Sequence, residues 1–169
     1  KCISNYFQMN YPFNQNIFAN EYELDFSLLG DDNYRIKGVI DRLDYDNNGN
    51  WKIHDYKTGK RIISQKEASN NLQLGIYQVG LIKTKIKVDS VELIWHFLQQ
   101  KKNKIILKSK MNSDTLSLVE KMFVNVIDKI RSKLKKGSVF QPKPSLICNW
   151  CYYWDECPSQ IGSNPHVGK

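Results

Sequence analysis

Residues 36–60 read IKGVIDRLDYDNNGNWKIHDYKTGK, and this stretch decides the fold. It contains two apolar runs, each ending in an aspartate, on either side of a short Asn/Gly turn, which is typical of a β-hairpin. Such a hairpin would bring Asp41 and Asp55 close together. Lys57 lies two residues beyond Asp55, and because strand side chains alternate with a period of two, both point to the same face. Two carboxylates beside a lysine form a plausible site for a divalent cation.

Hydrophobic patterning predicts the other elements of the chain. The predicted strands lie at residues 17–29, 34–44, 51–57, 88–98 and 104–109. Apolar residues at three- and four-residue spacing predict helices at 65–82 and 113–134, and residues 1–9 resemble the end of another helix. This order predicts an α/β fold with a mixed central β-sheet flanked by helices. Residues 1–139 would form the core, and residues 140–169 a cysteine-stapled tail packed on it.

The composition favours a polyanionic partner and disfavours a membrane protein. The chain has 169 residues, enough to bury a core without disulfides, and a formal net charge of +8, which suits nucleic acid. There is no apolar run of the ~18 residues that a membrane span requires and no secretory signal. We therefore expect an intracellular, cytoplasmic protein. The sequence does not begin with methionine, so we consider a fragment or a processed form.

Three segments carry a resemblance to a known family. GVIDRLD at 38–44, IHDYKTGK at 53–60 and LQLGIYQVGL at 72–81 resemble the RecB/AddB/Cas4-type nuclease domain of the PD-(D/E)XK superfamily. The resemblance covers residues 34–81 closely and also the tail after Phe140. It implies a restriction-endonuclease-like core and a DNA nuclease that uses Mg²⁺ or Mn²⁺. It further implies action on DNA ends or single strands, with a helicase or other subunits as partners.

The resemblance assigns roles to the residues of the predicted hairpin. By motif, Asp41 and Asp55 would be metal ligands, the Tyr56 backbone carbonyl a further ligand, and Lys57 the catalytic lysine. Bound Mg²⁺ or Mn²⁺ acidifies water, and the ammonium orients that water or stabilises charge on the phosphate. Without a metal, both carboxylates would be explained by salt bridges with Arg42 and Lys57.

Further residues would support the site. Gln73 and Tyr77 lie four residues apart on one helix face and match the family's QxxxY motif, which shapes the active site and contacts DNA. Arg42 would orient a carboxylate or a phosphate, or would be a plain surface charge. His54 should face the side of the strand opposite to Asp55, so we expect a core histidine rather than a metal ligand.

One ligand of the family pattern is missing. Such domains usually carry an acidic or histidine ligand on a helix before the first strand, and no histidine precedes His54. Glu21 and Glu23 lie on a predicted strand and do not match that ligand. Either the helix lies before Lys1, or the site is incomplete. The alternative function is therefore a catalytically impaired DNA-binding or scaffold module of a larger complex.

The tail contains three closely spaced cysteines. Cys148, Cys151 and Cys157 form a C-x2-C-x5-C pattern, and FQPKPSLICNWCYYWDECP resembles the segment that holds a 4Fe–4S cluster in nucleases of this type. Cys2 is the candidate for the fourth thiolate. Zinc, with His166 as fourth ligand, is the competing possibility.

Basic and aromatic residues suggest a path for nucleic acid, since such charges bind phosphates without reading sequence. The basic residues are Lys60, Arg61, Lys66, Lys83, Lys85, Lys87, the QQKKNK turn at 99–104, Lys133, Lys135 and Lys136. Trp150, Tyr153 and Trp154 would stack on single-stranded bases or cover the cluster.

Overall fold

A computed structural model describes residues 1–85, 87–100 and 106–160 of the chain. Within this part, five strands form one mixed sheet in the order of the chain. They are β1 (Ile17–Ser27), β2 (Arg35–Tyr45), β3 (Asn50–Lys57), β4 (Ser90–Phe97) and β5 (Ile106–Ser109). The helices are α1 (Cys2–Asn10), α2 (Gln65–Ser69), α3 (Leu72–Thr84) and α4 (Ser113–Lys135). Strands β3 and β4 are parallel, and the other neighbours are antiparallel. The predicted mixed sheet flanked by helices is confirmed.

The β2–β3 hairpin forms where the sequence predicts it. Asn47 and Gly49 have positive φ angles of 65° and 99°, which Asn and Gly tolerate best. The Asp46 carboxylate accepts the backbone N–H groups of Asn48 at 2.8 Å and Asn50 at 3.0 Å, so the turn is fixed by its own side chain. The strands then pair from Arg42 opposite His54 to Tyr45 opposite Trp51.

The prediction of one helix at 65–82 is wrong, because two helices occupy this region. Helix α2 begins with a capping box, in which the Ser64 hydroxyl accepts the Glu67 N–H and the Glu67 carboxylate accepts the Ser64 N–H. Helix α3 begins at its own cap, where the Asn71 side chain accepts the Leu74 N–H at 3.0 Å. Short polar side chains that accept first-turn N–H groups begin helices, and Asn71 does so within the apolar pattern.

Helix α3 lies very close to the sheet. A Cβ added to Gly80 would overlap the Phe26 ring of β1, and one added to Gly38 of β2 would lie 2.8 Å from Cε1 of Tyr77. Glycine therefore permits the close approach on both sides of this interface. The approach fixes the height of α3 above the strands, and so the reach of Gln73 toward β3. The fully buried core below it includes Leu24, Leu28, Ile40, Leu43, Ile53, Leu74, Leu81 and Leu93.

Contacts divide the chain into two units, Lys1–Ile127 and Asp128–Lys169, and the division falls within α4. The first unit contains the sheet and α1 to α3. The second contains the end of α4 and a short 3₁₀ turn at Leu146–Trp150. None of the helices in the described ranges is both long enough and apolar enough for a membrane span.

Candidate active site

Asp41 and Asp55 meet at one end of the β2–β3 pairing. The register that places Arg42 opposite His54 also places Asp41 opposite Asp55. The Asp41 carboxylate accepts the backbone N–H of Tyr56 at 2.8 Å through Oδ2. The two carboxylates are close enough for the charge of Asp41 to contribute to the raised pKa of Asp55. The hairpin therefore brings the two predicted ligands together.

Lys57 joins Asp55 to helix α3. Its ammonium lies 2.9 Å from both carboxylate oxygens of Asp55 and donates a hydrogen bond to Oδ1. It also donates to Oε1 of Gln73 at 3.1 Å, and the Gln73 amide donates to the Tyr77 hydroxyl at 3.4 Å. Four of the residues predicted for the site thus form a continuous chain of contacts from β3 to α3.

Asp55 is the buried member of this site. Its residue surface is 4% exposed, and burial raises its pKa, an effect that the hydrogen bond and charge of Lys57 oppose. Oδ2 of Asp55 is buried and has no hydrogen-bond partner in the described part of the chain, although the Lys57 ammonium lies nearby. The ion pair with Lys57 offsets part of the cost of burying this carboxylate. A bound cation would offset more of it.

The donor set fits Mg²⁺ or Mn²⁺. Mg²⁺ sites commonly use one or two carboxylates, with water and substrate phosphate completing the coordination. Asp41, Asp55 and the Tyr56 carbonyl offer oxygen donors of that type. Among residues 1–85, 87–100 and 106–160, no group of three or more His, Cys, Asp or Glu side chains is arranged to hold a metal ion.

The upstream ligand is not found on α1. This helix precedes β1 in the chain, but its sequence CISNYFQMN contains no Asp, Glu or His. The β1–β2 register pairs Asn20 with Arg42 and Tyr22 with Ile40, and Glu21 and Asp41 are the residues between these two pairs. Glu21 has a positive φ of 49° and an exposed side chain. No group of three acidic side chains results there in the described structure.

Arg42 lies in a buried polar cluster and not on the surface. The arginine is 3% exposed, so the alternative of a plain surface charge is wrong. Its guanidinium donates two hydrogen bonds of 2.7 Å to Asp44 and longer ones to Asn10 and the Tyr56 hydroxyl. Burial alone would raise the pKa of Asp44, but its partners His54 and Arg42 lower it to about 2. The carboxylate that Arg42 orients is therefore Asp44.

Two histidines extend this cluster. His54 is buried as predicted, with Nε2 3.1 Å from Asp44 Oδ2 and Nδ1 2.8 Å from Nε2 of His96. The His96 ring stacks on Tyr56 with 4.6 Å between centroids, and burial lowers the pKa of His96 to about 3. Asp44 and His96 were not among the residues that the sequence predicted for the site. A signal existed for His96, since it is a polar residue inside the apolar stretch VELIWHFL.

Several basic residues of the predicted nucleic-acid path have partners within the protein. The Lys85 ammonium lies 4.5 Å from the Phe18 ring centroid and 4.6 Å from that of Tyr22. Lys83 pairs with Glu120, Arg61 with Glu67, Lys87 with Asp89, and Lys133 lies over Phe140. Residues 101–104 of the QQKKNK turn lie outside the described residues. These ion pairs and ring contacts reduce the positive charge that the five side chains can offer to phosphate.

The cysteines of the tail are half-buried and form no disulfide bond, and they lie in the second unit. Sγ of Cys148 accepts the Ser145 N–H at 3.3 Å, and the Cys151 N–H donates to the Cys148 carbonyl at 3.0 Å. The described conformation does not gather three cysteines into a metal-ligand group, so it does not support the 4Fe–4S cluster. Cys2 lies on α1 in the first unit, and His166 lies outside the described residues.

The aromatic residues of the tail differ in exposure. Trp150 and Tyr153 are 68% and 69% exposed, whereas Trp154 is buried. A buried indole presents no face to a nucleic-acid base, so Trp154 is the least suited of the three to stacking.

Comparisons with known proteins agree with this fold. The crystal structure of SSO0001 matches with a TM-score of 0.53 at 16% sequence identity, covering 95% of this chain and 68% of that chain. At that identity the similarity shows the fold alone. Comparison with curated proteins gives no match. The family model of the PD-(D/E)XK nuclease superfamily matches residues 4–158, a range that includes Asp41, Asp55 and Lys57. This match confirms the superfamily but not the RecB/AddB/Cas4 type or the cysteine motif. The chain belongs to the PD-(D/E)XK nuclease superfamily.

Proposed function

We propose that this chain is a divalent-metal-dependent deoxyribonuclease that hydrolyses phosphodiester bonds, as an exonuclease on DNA ends or single strands. Membership of the superfamily implies a metal-dependent nuclease. The observation that carries the proposal is the position of Lys57, whose ammonium contacts both Asp55 and Gln73 beside the Asp41 carboxylate. The net charge of +8 suits a polyanionic substrate. An intracellular location, as the sequence predicts, would place the protein with DNA.

The residues divide the work of the reaction. Mg²⁺ or Mn²⁺ held by Asp41, Asp55 and the Tyr56 carbonyl would supply acidified water and offset the charge on the phosphate. The Lys57 ammonium lies beside Asp55, from where it can donate a hydrogen bond to the attacking water or to a phosphate oxygen. Gln73 limits the movement of that ammonium, and Tyr77 in turn holds the Gln73 amide. Positioning of this kind contributes through orientation of the reacting groups.

A DNA-binding or scaffold module is the second candidate function. It is favoured by the two-carboxylate site and by the absence of an acidic or histidine residue on α1. The contacts among Asp55, Lys57, Gln73 and Tyr77 favour the nuclease, because a decayed site has no need to keep them. Either function is compatible with a helicase or other subunits as partners.

A cleavage assay separates the two functions. Linear single-stranded DNA labelled at the 5′ or 3′ end, a circular single strand and a blunt duplex would each be incubated with Mn²⁺. We expect the wild type to shorten linear DNA and spare the circle, and Lys57→Ala to be slower by about 10²-fold or more. Lys52→Ala is the matched control, because Lys52 is an exposed lysine of the same strand. DNA binding without cleavage by any variant would refute the nuclease and support the scaffold.

We also propose that Cys148, Cys151 and Cys157 hold a 4Fe–4S cluster, with Cys2 as the fourth ligand. The C-x2-C-x5-C spacing, with none of the three cysteines in a disulfide bond, supports this proposal. The described conformation does not hold the sulfurs in a coordinating arrangement, so we assign no step of the reaction to the cluster. Anaerobic purification should give iron and acid-labile sulfide, both lost in Cys151→Ser. Zinc without iron would refute the cluster and support the zinc alternative.

A further inference from the structure

Tyr56 is held from three directions on the side of β3 away from Asp55 and Lys57. The His96 ring stacks on it at 4.6 Å with an interplanar angle of 24°. The Tyr6 ring of α1 meets it edge to face at 5.5 Å. The Tyr56 hydroxyl accepts a hydrogen bond of 3.4 Å from Arg42. The side chain therefore has little freedom to move relative to β2, β4 and α1.

The backbone of the same residue belongs to the candidate active site. Tyr56 lies between Asp55 and Lys57, and its N–H donates to Asp41 Oδ2 at 2.8 Å. That hydrogen bond is a charge-assisted one, and it orients the Asp41 carboxylate. Because the ring and the N–H are attached to one Cα, the contacts that fix the ring also restrict the backbone position of this N–H.

The groups that hold Tyr56 belong to one buried polar cluster. Arg42 donates twice to Asp44, and Asp44 lies 3.1 Å from Nε2 of His54. Nδ1 of His54 lies 2.8 Å from Nε2 of His96, whose ring stacks on Tyr56. The contacts on Tyr56 are therefore continuous with the Arg42–Asp44 ion pair.

We propose that Tyr56 is a positioning residue. Its side chain, clamped by Arg42, His96 and Tyr6, sets the place of the N–H that orients Asp41, so the polar network behind the sheet determines the geometry of the cation site. This inference rests on the proposed function, since it requires Asp41 and Asp55 to bind a divalent cation. It concerns a side chain that does not contact that cation.

Mn²⁺ binding by the full chain, measured by calorimetry and by the electron paramagnetic resonance signal of free Mn²⁺, tests the proposal. Tyr56→Ala removes the ring but leaves every ligand atom, and we expect the Kd for Mn²⁺ to rise about tenfold, as for other groups behind metal ligands. Tyr56→Phe keeps the ring and its stacking, so its Kd should stay close to that of the wild type. In cleavage assays, Tyr56→Ala should lower kcat and leave the KM for DNA unchanged.

Tyr45→Ala is the matched control. Tyr45 is a half-buried aromatic residue at the far end of the same hairpin, where it stacks on Trp51 at 4.1 Å. Its loss should lower thermal stability without changing the Kd for Mn²⁺. If circular dichroism shows that Tyr56→Ala is unfolded, Tyr6→Ala replaces it, because Tyr6 lies on α1 and contacts only one side of the ring. A higher Kd for Mn²⁺ in Tyr6→Ala than in Tyr45→Ala would support the proposal.

The outcomes test the positioning role of Tyr56 and the proposed function separately. If the wild type binds Mn²⁺ and the folded Tyr56→Ala variant binds it equally well, the positioning role is overturned and the proposed function stands. If the wild type does not bind Mn²⁺, the proposed function fails and the positioning role fails with it.

Discussion

Replacing Gly38 with alanine should disturb the candidate site without altering any charged residue in it. A Cβ at this position would lie 2.8 Å from Cε1 and 3.4 Å from Cδ1 of Tyr77. Non-bonded carbon atoms are at their best separation at about 3.5–4.0 Å, so the ring or the helix must shift by roughly 1 Å. The Tyr77 hydroxyl accepts a hydrogen bond from the Gln73 amide at 3.4 Å, which is near the limit for such a bond. The shift should therefore break that contact and release Gln73 from Lys57.

The expected magnitudes follow from this overlap. Over-packing of a core costs about 1–3 kcal/mol, and each kcal/mol lowers Tm by about 2–4 °C in a protein of this size. Misplacing a catalytic group by about 1 Å reduces a rate by up to about 10²-fold. Because Lys57 keeps its contact with Asp55, we expect kcat to fall by about tenfold and not to vanish.

Thermal denaturation and Mn²⁺-dependent cleavage of labelled single-stranded DNA measure the two effects. Gly59→Ala is the control, because a Cβ on Gly59 meets nothing within 4 Å although this glycine follows Lys57 by two residues. A second variant, Gly38→Ala with Tyr77→Leu, removes the clash and should recover stability without recovering activity. The reasoning is refuted if Gly38→Ala matches Gly59→Ala in both Tm and kcat.

Three further predictions concern packing and protonation. Gly80→Ala would overlap the Phe26 ring, so urea denaturation should show an unfolding free energy lower by about 1–3 kcal/mol. Burial lowers the pKa of His96 from 6.5 to about 3, so between these pH values the imidazole is protonated in the unfolded chain but not in the folded one. Stability should therefore fall as the pH drops from 6.5 toward 3, by up to ~1.4 kcal/mol per pH unit, and denaturation of His96→Phe should show a flatter profile. Burial raises the pKa of Asp55, and Lys57 opposes this rise, so the pKa of Asp55 should be higher still in Lys57→Ala. When Mn²⁺ affinity is measured as the pH is lowered, the variant should therefore lose binding earlier, at a higher pH than the wild type.

The hairpin and its two carboxylates could be predicted because the information is local. The Asn/Gly turn sets the register, and the two-residue alternation then places Asp41 opposite Asp55 and Lys57 beside Asp55. The contact between Lys57 and Gln73 joins residues 16 positions apart on a strand and a helix. The resemblance to a known family predicted that Gln73 supports the site, but it did not predict this contact, since no local rule sets the height of a helix above a sheet.

The buried polar cluster could not be predicted from local patterns. Parallel pairing of β3 and β4 places Tyr56 opposite His96, 40 residues apart in the chain, and so creates the stack. The start of α2 was predictable, because the Ser64–Glu67 capping box is visible in the sequence, but the break before Leu72 was not. The apolar spacing across Asn71 concealed it, since hydrophobic periodicity does not register a cap within a continuous apolar face.

The charge balance of the site bears on whether it is a nuclease or a scaffold. Asp41 and Asp55 bring two carboxylates together, and the contacts described above give them one ammonium, that of Lys57. Burial makes the charged form of Asp55 costly, and the ion pair with Lys57 offsets part of that cost. A scaffold would gain stability from a neutral residue at position 55, because the repulsion from Asp41 and the cost of burying the charge would both disappear. Under the proposed function, a divalent cation bound by the two carboxylates would offset the same repulsion, so measuring unfolding free energy with and without Mn²⁺ separates the two functions.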